Sequence, residues 1–235
     1  MSSSDPPTPD RIAVLTSRQV KEVDALTQER FGIPVGWLME AAGWQVARFC
    51  DQPAAVVCGI GNNAGDGLGA ARHLHRWGRL VSVCCVDVSR LNGPAAVELE
   101  ALRRAGVNVS GEIELADAPL IVDAMFGIGL SRPPQGVFAH WIETINSAGR
   151  RVIAVDLPSG LDADTGVAYA PTVHADLTVT LAMPKPGLTQ ADGPAVAGEV
   201  WVADIGVPTE VYELLGISVP ADLFATGDRR RLAEI

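Results

Sequence analysis

Several function classes are excluded by what this chain lacks. No apolar run approaches the roughly 18 residues that a membrane-spanning helix needs, so nothing in it reads as a span. The start, Met1 to Asp10, is rich in Ser and Pro and has no apolar core; it reads as a disordered tail and not as a secretory signal. Basic residues are scarce, with 18 Lys and Arg against 28 Asp and Glu and a net charge of −10. A binder of duplex nucleic acid neutralises phosphates with basic side chains, and this balance argues against such a partner. It leaves open a small anion held by backbone N–H groups.

Cysteine is also sparse. Cys50, Cys58, Cys84 and Cys85 are the only four, and none form a C-x-x-C pair. Cys84 and Cys85 are adjacent in an apolar run, so on a strand they point to opposite faces. Buried, reduced thiols are the expectation, which suits a reducing compartment and a cytoplasmic location. No G-x-S-x-G elbow occurs, and the glycine-rich segment lacks the Lys-Ser or Lys-Thr of a P-loop. His73 and His75 are two apart on an expected helix and so face different ways, while His140 and His174 have no neighbour at ligand spacing; a zinc site is not supported. Asp162, Asp164 and Gly166 lack the glycine position and late Glu of a calcium loop and read as a turn.

The chain does contain an alternation of buried strands and helices. With 235 residues, 48% of them hydrophobic, it can build one sizeable core. Helices are expected over 16–31, capped by Thr16 or Ser17, and over 35–50. Continuous apolar runs at 54–58, 80–86, 120–122, 152–155, 177–181 and 199–203 read as strands buried on both faces, and 107–109 as a further short one. Helices are expected between them at 68–77, 95–105 and 137–147. Such a rhythm predicts right-handed crossovers and a mostly parallel sheet covered on both faces, in one α/β domain. Arg229-Arg230-Arg231 near the end reads as a solvated tail.

Ligands of an open parallel sheet bind beyond the carboxyl ends of its strands, and three such ends carry polar or glycine-rich residues. The first, Gly59-Ile60-Gly61-Asn62-Asn63-Ala64-Gly65-Asp66-Gly67, reads as a loop that approaches a ligand closely and leads into a helix whose first N–H groups suit a phosphate. Gly59, Gly61 and Ala64 also fit the G-x-G-x-x-A dinucleotide pattern, with Asp87 where a ribose-binding acid would stand. A tight turn without a ligand is the alternative. The second runs from Asp123 through Gly127, Gly129 and Arg132 to Pro133; Asp123 either faces substrate or a cation, or caps a turn. The third, Asp156-Leu157-Pro158-Ser159-Gly160, sets an acid where general acid–base work is done, or one that only holds the turn. Lys185, between Pro184 and Pro186, is a possible pocket residue that its loop alone would also explain.

Taken together these segments resemble the NAD(P)H-hydrate epimerase family, the YjeF N-terminal domain. The resemblance rests on Leu38-Met39-Glu40-Ala41-Ala42-Gly43, on Gly61 to Leu68 with Ala71-Arg72-His73-Leu74, and on Val122 to Gly127. It continues through Ala154 to Asp162, Pro184-Lys185-Pro186-Gly187 and Val202-Ala203-Asp204-Ile205-Gly206. It covers 11–216 as an epimerase-like domain and leaves 217–235 as a C-terminal extension.

The resemblance implies a Rossmann-like three-layer α/β/α sandwich, a homodimer, and interconversion of the R and S forms of hydrated NADH or NADPH beside a partner dehydratase. It implies a substrate held by Asn62, Asn63, Ala64, Gly65 and Asp66, by Gly127, Ile128, Gly129, Leu130, Ser131, Arg132 and Pro133, and by Asp156. It implies potassium held by Asn63, Asp123 and Ser159, oxygen donors of the kind a hard cation takes. Asp156 is the expected catalytic acid and base. Three positions depart from the family: Ala41 stands for Asn, Ala64 for Gly and Ile128 for Thr. Ala64 suits its segment only at a negative φ. An NAD-dependent dehydrogenase and a non-catalytic nucleotide-binding scaffold of the same fold are the rival readings.

Overall fold

The structure is a computed structural model that describes residues 12–234. The tail expected over 1–10 lies outside the described residues.

The first helix, α1 (Ser17–Phe31), opens with a capping box: Thr16 accepts from the backbone N–H of Gln19, whose side chain accepts from the Thr16 N–H in return. It ends at Gly32 in the left-handed region, φ 67°. Then follow α2 (Val35–Phe49), β1 (Ala54–Cys58), α3 (Asn62–Arg76), β2 (Leu80–Cys85), α4 (Gly93–Arg104), β3 (Leu120–Ala124), α5 (Val137–Ser147) and β4 (Arg151–Val155). The chain closes with β5 (Leu177–Leu181), the short α6 (Gly193–Val196), β6 (Glu199–Ala203), α7 (Thr209–Leu214) and β7 (Arg229–Arg231).

The strands form one sheet in the order β2-β1-β3-β4-β5-β6-β7, parallel except for β7. Side-chain alternation divides the sheet residues between two layers of helices. Val56, Cys58, Val122 and Ala124 pack with Met39 of α2, Leu68 and Leu74 of α3 and Leu99 of α4. Val57, Ile121 and Val152 face Trp141, Ile142 and Ile145 of α5. Cys84 and Cys85 split between these two cores as expected, and all four cysteines are buried and free. A third cluster seats Leu15 and Val23 against Met183, Val202, Val211 and Tyr212 and so fixes α1 beside the β5–β6 edge.

Three segments differ from the sequence expectation. The segment from Asn62 is not a loop before a helix at Leu68; it is α3 already. Its glycines serve packing. A Cβ on Gly67 would overlap that of Ala124 on β3, and one on Gly65 would overlap the Met39 thioether on α2. Close contact on two sides repays the poor helix propensity of Gly and Asn. Val107–Val109 form no strand, and only Ser110 beyond them bridges to Cys84. Arg229–Arg231 are not a solvated tail but pair antiparallel with β6. Arg229 lies over the Phe49 ring at 4.7 Å, Arg230 donates to the Leu223 carbonyl at 2.7 Å, and Arg231 pairs with Glu199 at 3.0 Å.

Candidate active site

The strand order reverses between β1 and β3, and at that switch point an open α/β sheet forms a crevice. A cavity of about 480 Å³ occupies it, within the range of about 300–1,000 Å³ usual for small-molecule sites. Gly61, Asn62, Asn63 and Asp66 line it from the start of α3, Met125 to Gly129 from the end of β3, and Asp156 from the end of β4. Val20, Lys21 and Asp24 of α1, Leu38 and Met39 of α2, and Lys185 also line it.

Asp156 follows β4 directly and holds a left-handed backbone, φ 67°, which a non-glycine residue adopts only where its surroundings impose it. Its N–H donates to the Val179 carbonyl at 2.8 Å. Oδ1 accepts from the Leu181 N–H at 3.2 Å, from the Thr180 hydroxyl at 3.3 Å and from the Lys185 ammonium. The ammonium also donates to the Leu181 carbonyl at 2.9 Å and to Thr180 Oγ1 at 3.3 Å. Lys185 is 1% exposed and Asp156 7%. With Oδ1 so occupied, Oδ2 is the oxygen left for a ligand. It would lie 3.2 Å from a Cβ built on Gly127, and Asn63 Oδ1 at 3.3 Å, so these two side chains flank the bare glycine backbone.

Asp123 and Ser159 are fully buried and bonded to each other. The Ser159 hydroxyl donates to Asp123 Oδ1 at 2.7 Å and its N–H to Oδ2 at 2.8 Å, while Oγ accepts from the Phe126 N–H at 2.9 Å. Burial pushes the Asp123 carboxyl up to about 6, against the pull of the hydrogen bonds from Ser159 and Met125. Among the described residues no Lys, Arg or His lies within ion-pair distance of it. Asn63 Nδ2 is buried without a partner. The Asp123 carboxylate, the Ser159 hydroxyl and the Asn63 amide oxygen are oxygen donors of the kind a hard cation takes.

The other expected site residues divide by position. Asn62 is exposed at the cavity mouth. Gly61, its N-cap, offers no side chain, and the first helical N–H groups of α3 find no helical acceptor. Ala64 is fully buried with a helical, negative φ, and Gly65 packs on Met39, so both face the core. Ile128 and Gly129 line the cavity; Leu130 lies beyond it, and Ser131, Arg132 and Pro133 are exposed past its rim. Ala41 does not reach the wall. Asp87 accepts from the Ser89 N–H and hydroxyl at 3.0 and 2.6 Å and stands outside the cavity.

Three further charged residues, Lys21, Asp24 and Lys185, stand on the wall. Lys185 is more than a loop residue, and Asp24 had only its helix to recommend it. One signal was available for the lysine: the chain has two, Lys21 and Lys185, and both line this cavity. Glu40, Arg72 and His73 lie behind the site. Arg72 donates to Glu40 on α2 and to Glu98 on α4, the latter at 2.9 Å, and His73 Nε2 meets Glu40 at 3.1 Å, binding three helices together.

The family described as YjeF-related protein N-terminus matches residues 35–187. A protein of Limosilactobacillus fermentum named NAD(P)H-hydrate epimerase is 41% identical, over 81% of this chain and 95% of its own. One of the same name from Rhodopirellula baltica is 35% identical, over 86% of this chain and 88% of its own. The bifunctional NAD(P)H-hydrate repair enzyme Nnr of Thermofilum pendens is 40% identical over 83% of this chain, which spans 40% of that longer protein. Among solved structures, that of yeast ynu0 superposes with a TM-score of 0.78 at 25% identity, covering 94% of this chain and 100% of its own.

Proposed function

The chain belongs to the family of YjeF-related protein N-termini, and on that premise we propose that it is an NAD(P)H-hydrate epimerase, interconverting the R and S forms of hydrated NADH and NADPH. The observation that carries the reading is the buried Asp156–Lys185 pair, which leaves Asp156 Oδ2 open to an apolar-walled cavity at the sheet's switch point.

In the hydrate, the hydroxyl sits on a ring carbon bonded to nitrogen. Inverting that carbon requires loss and return of water, or opening and closing of the ring, and either route moves protons. Asp156 takes the proton and returns it at Oδ2. Lys185 holds that carboxylate in place from the other oxygen. The N–H groups at the start of α3, with the side chains of Asn62 and Asn63, bind the diphosphate. Asp66, Gly127, Ile128 and Gly129 contact the ring, and Leu130, Ser131, Arg132 and Pro133 lie where the rest of the dinucleotide leaves the cavity. Ala64 and Gly65 support this wall from the core side. Leu38 and Met39 exclude water.

Asn63, Asp123 and Ser159 would hold potassium. When bound, it would supply the positive charge that the buried Asp123 lacks and tie the start of α3 at Asn63 to the turn bearing Ser159. The reading also carries a homodimer in the cytoplasm, and a dehydratase that consumes one of the two epimers.

Asp156→Asn tests the assignment. Epimerisation should fall at least about a hundredfold while substrate binding persists, read by supplying the unreactive epimer with a stereospecific dehydratase and following the return of NADH. Near-normal turnover would remove Asp156 from the chemistry.

A further inference from the structure

Asp156 is not the sole acid facing the cavity. Asp66 on α3 and Asp24 on α1 also line it, and among the described residues neither takes part in an ion pair. Against these carboxyls stands one buried ammonium, that of Lys185; Lys21 is exposed. Asp24 and Asp66 thus face the cavity without a counter-charge of their own.

The placement of Asp24 is built. Ser17, at the start of its helix, donates from N–H to Asp164 Oδ1 at 2.6 Å and from its hydroxyl to Oδ2 at 2.5 Å. The Leu15 N–H donates to the carbonyl of Pro184 at 2.9 Å, one residue before Lys185. Val23 is buried against Met183. Val20 and Asp24, four apart, then share the face that lines the cavity.

We propose that Asp24 is a second proton-transfer residue of this cavity, acting on the substrate hydroxyl from the α1 wall while Asp156 acts from the strand-end wall. The proposal rests on the epimerase reading. Inversion through loss of water breaks the C–O bond as the ring nitrogen's lone pair forms a C=N bond, and the departing hydroxyl takes a proton from one carboxyl. Water then adds to the other face of the ring carbon, the electron pair returns to nitrogen, and the added water gives its proton to the other carboxylate. Atoms and charge balance over the cycle, with one proton moved from one wall to the other; exchange with solvent resets the pair. Two carboxyls on different walls give each face of the ring carbon its own proton-transfer group.

Asp24 suits the exchange. Burial pushes it up to about 6, with Lys185 pulling down and Asp156 pushing up. Asp66 is pushed well above the usual carboxylate range by burial and by its acidic neighbours. Tyr212 on α7 and the exposed Lys21 on α1 are further titratable groups near Asp24.

The test uses the full chain. Wild type, Asp24→Asn and Asp24→Ala are assayed by dehydratase coupling between pH 5 and 8, with thermal melts to check folding. Asp24→Asn should lower kcat by about a hundredfold with KM within a few-fold, and should abolish a pH limb near 6. Formate, a small carboxylate, should restore part of the rate of Asp24→Ala and none to Asp156→Asn. An Asp24→Asn protein with wild-type kcat and an intact limb overturns the proposal while the epimerase reading stands. So does a rate loss with the limb unchanged and no rescue of Asp24→Ala, the signature of a packing role. A wild-type chain without epimerase activity overturns that reading and this proposal together.

Discussion

The Lys185 ammonium closes on one oxygen of Asp156 and leaves the other facing the cavity, so a single buried ion pair both anchors the carboxylate and aims it. Breaking the pair from one side strands a buried charge. Lys185→Met should therefore cost about 3–5 kcal/mol of stability. The double variant Lys185→Met with Asp156→Asn should cost less than the sum of the two single changes, because no charge is then left alone. Denaturant titrations of the four proteins measure the coupling; additive costs would mean that the pair does not act as a unit.

Gly67 sits in a helix, where alanine is ordinarily the better residue by about 1 kcal/mol. Here the order should reverse. The Cβ of Gly67→Ala meets that of Ala124, and the helix must move off the sheet, at a cost of about 1–3 kcal/mol. A lower midpoint in urea, with an unchanged slope, is the expected outcome.

Asp123 ties stability to pH. Its carboxyl is raised from 3.8 to about 6 in the folded chain, so the native state binds the proton more tightly than the unfolded state does. Its contribution is fully present below pH 4 and is lost as the pH rises through 6, at about 3 kcal/mol. Asp24 is raised in the same direction. The proposed cation on the ionised Asp123 would counter the loss. Potassium chloride should thus raise Tm at pH 8 well above tetramethylammonium chloride of equal strength, and the gap should close at pH 5. Equal melting in the two salts at pH 8 would argue against potassium on Asn63, Asp123 and Ser159.

The sheet was legible because its strands are buried on both faces and therefore read as unbroken apolar runs, such as Val56-Val57-Cys58 and Val152 to Val155. Asp123 and Asp156 stood out because an acid near the end of such a run has no core role to explain it. Asp24 did not, since one Asp on an amphipathic helix looks like any solvated residue until the fold turns it inward. Lys185 was masked by its prolines. The start of α3 was misread because propensity describes an isolated segment, whereas Gly65 and Gly67 are chosen by what lies against them, Met39 and Ala124. Arg229–Arg231 became a strand through pairing with β6, a contact no local pattern encodes.

The early start of α3 bears on selectivity. A flexible glycine loop would drape itself over ligands of many shapes. A helix wedged between β3 and α2 cannot, because every shift of Asn62 or Asn63 must drag Gly65 and Gly67 through closely packed neighbours. That side of the cavity is therefore a stiff wall, and the part of the candidate site free to adjust is the exposed segment at Ser131, Arg132 and Pro133.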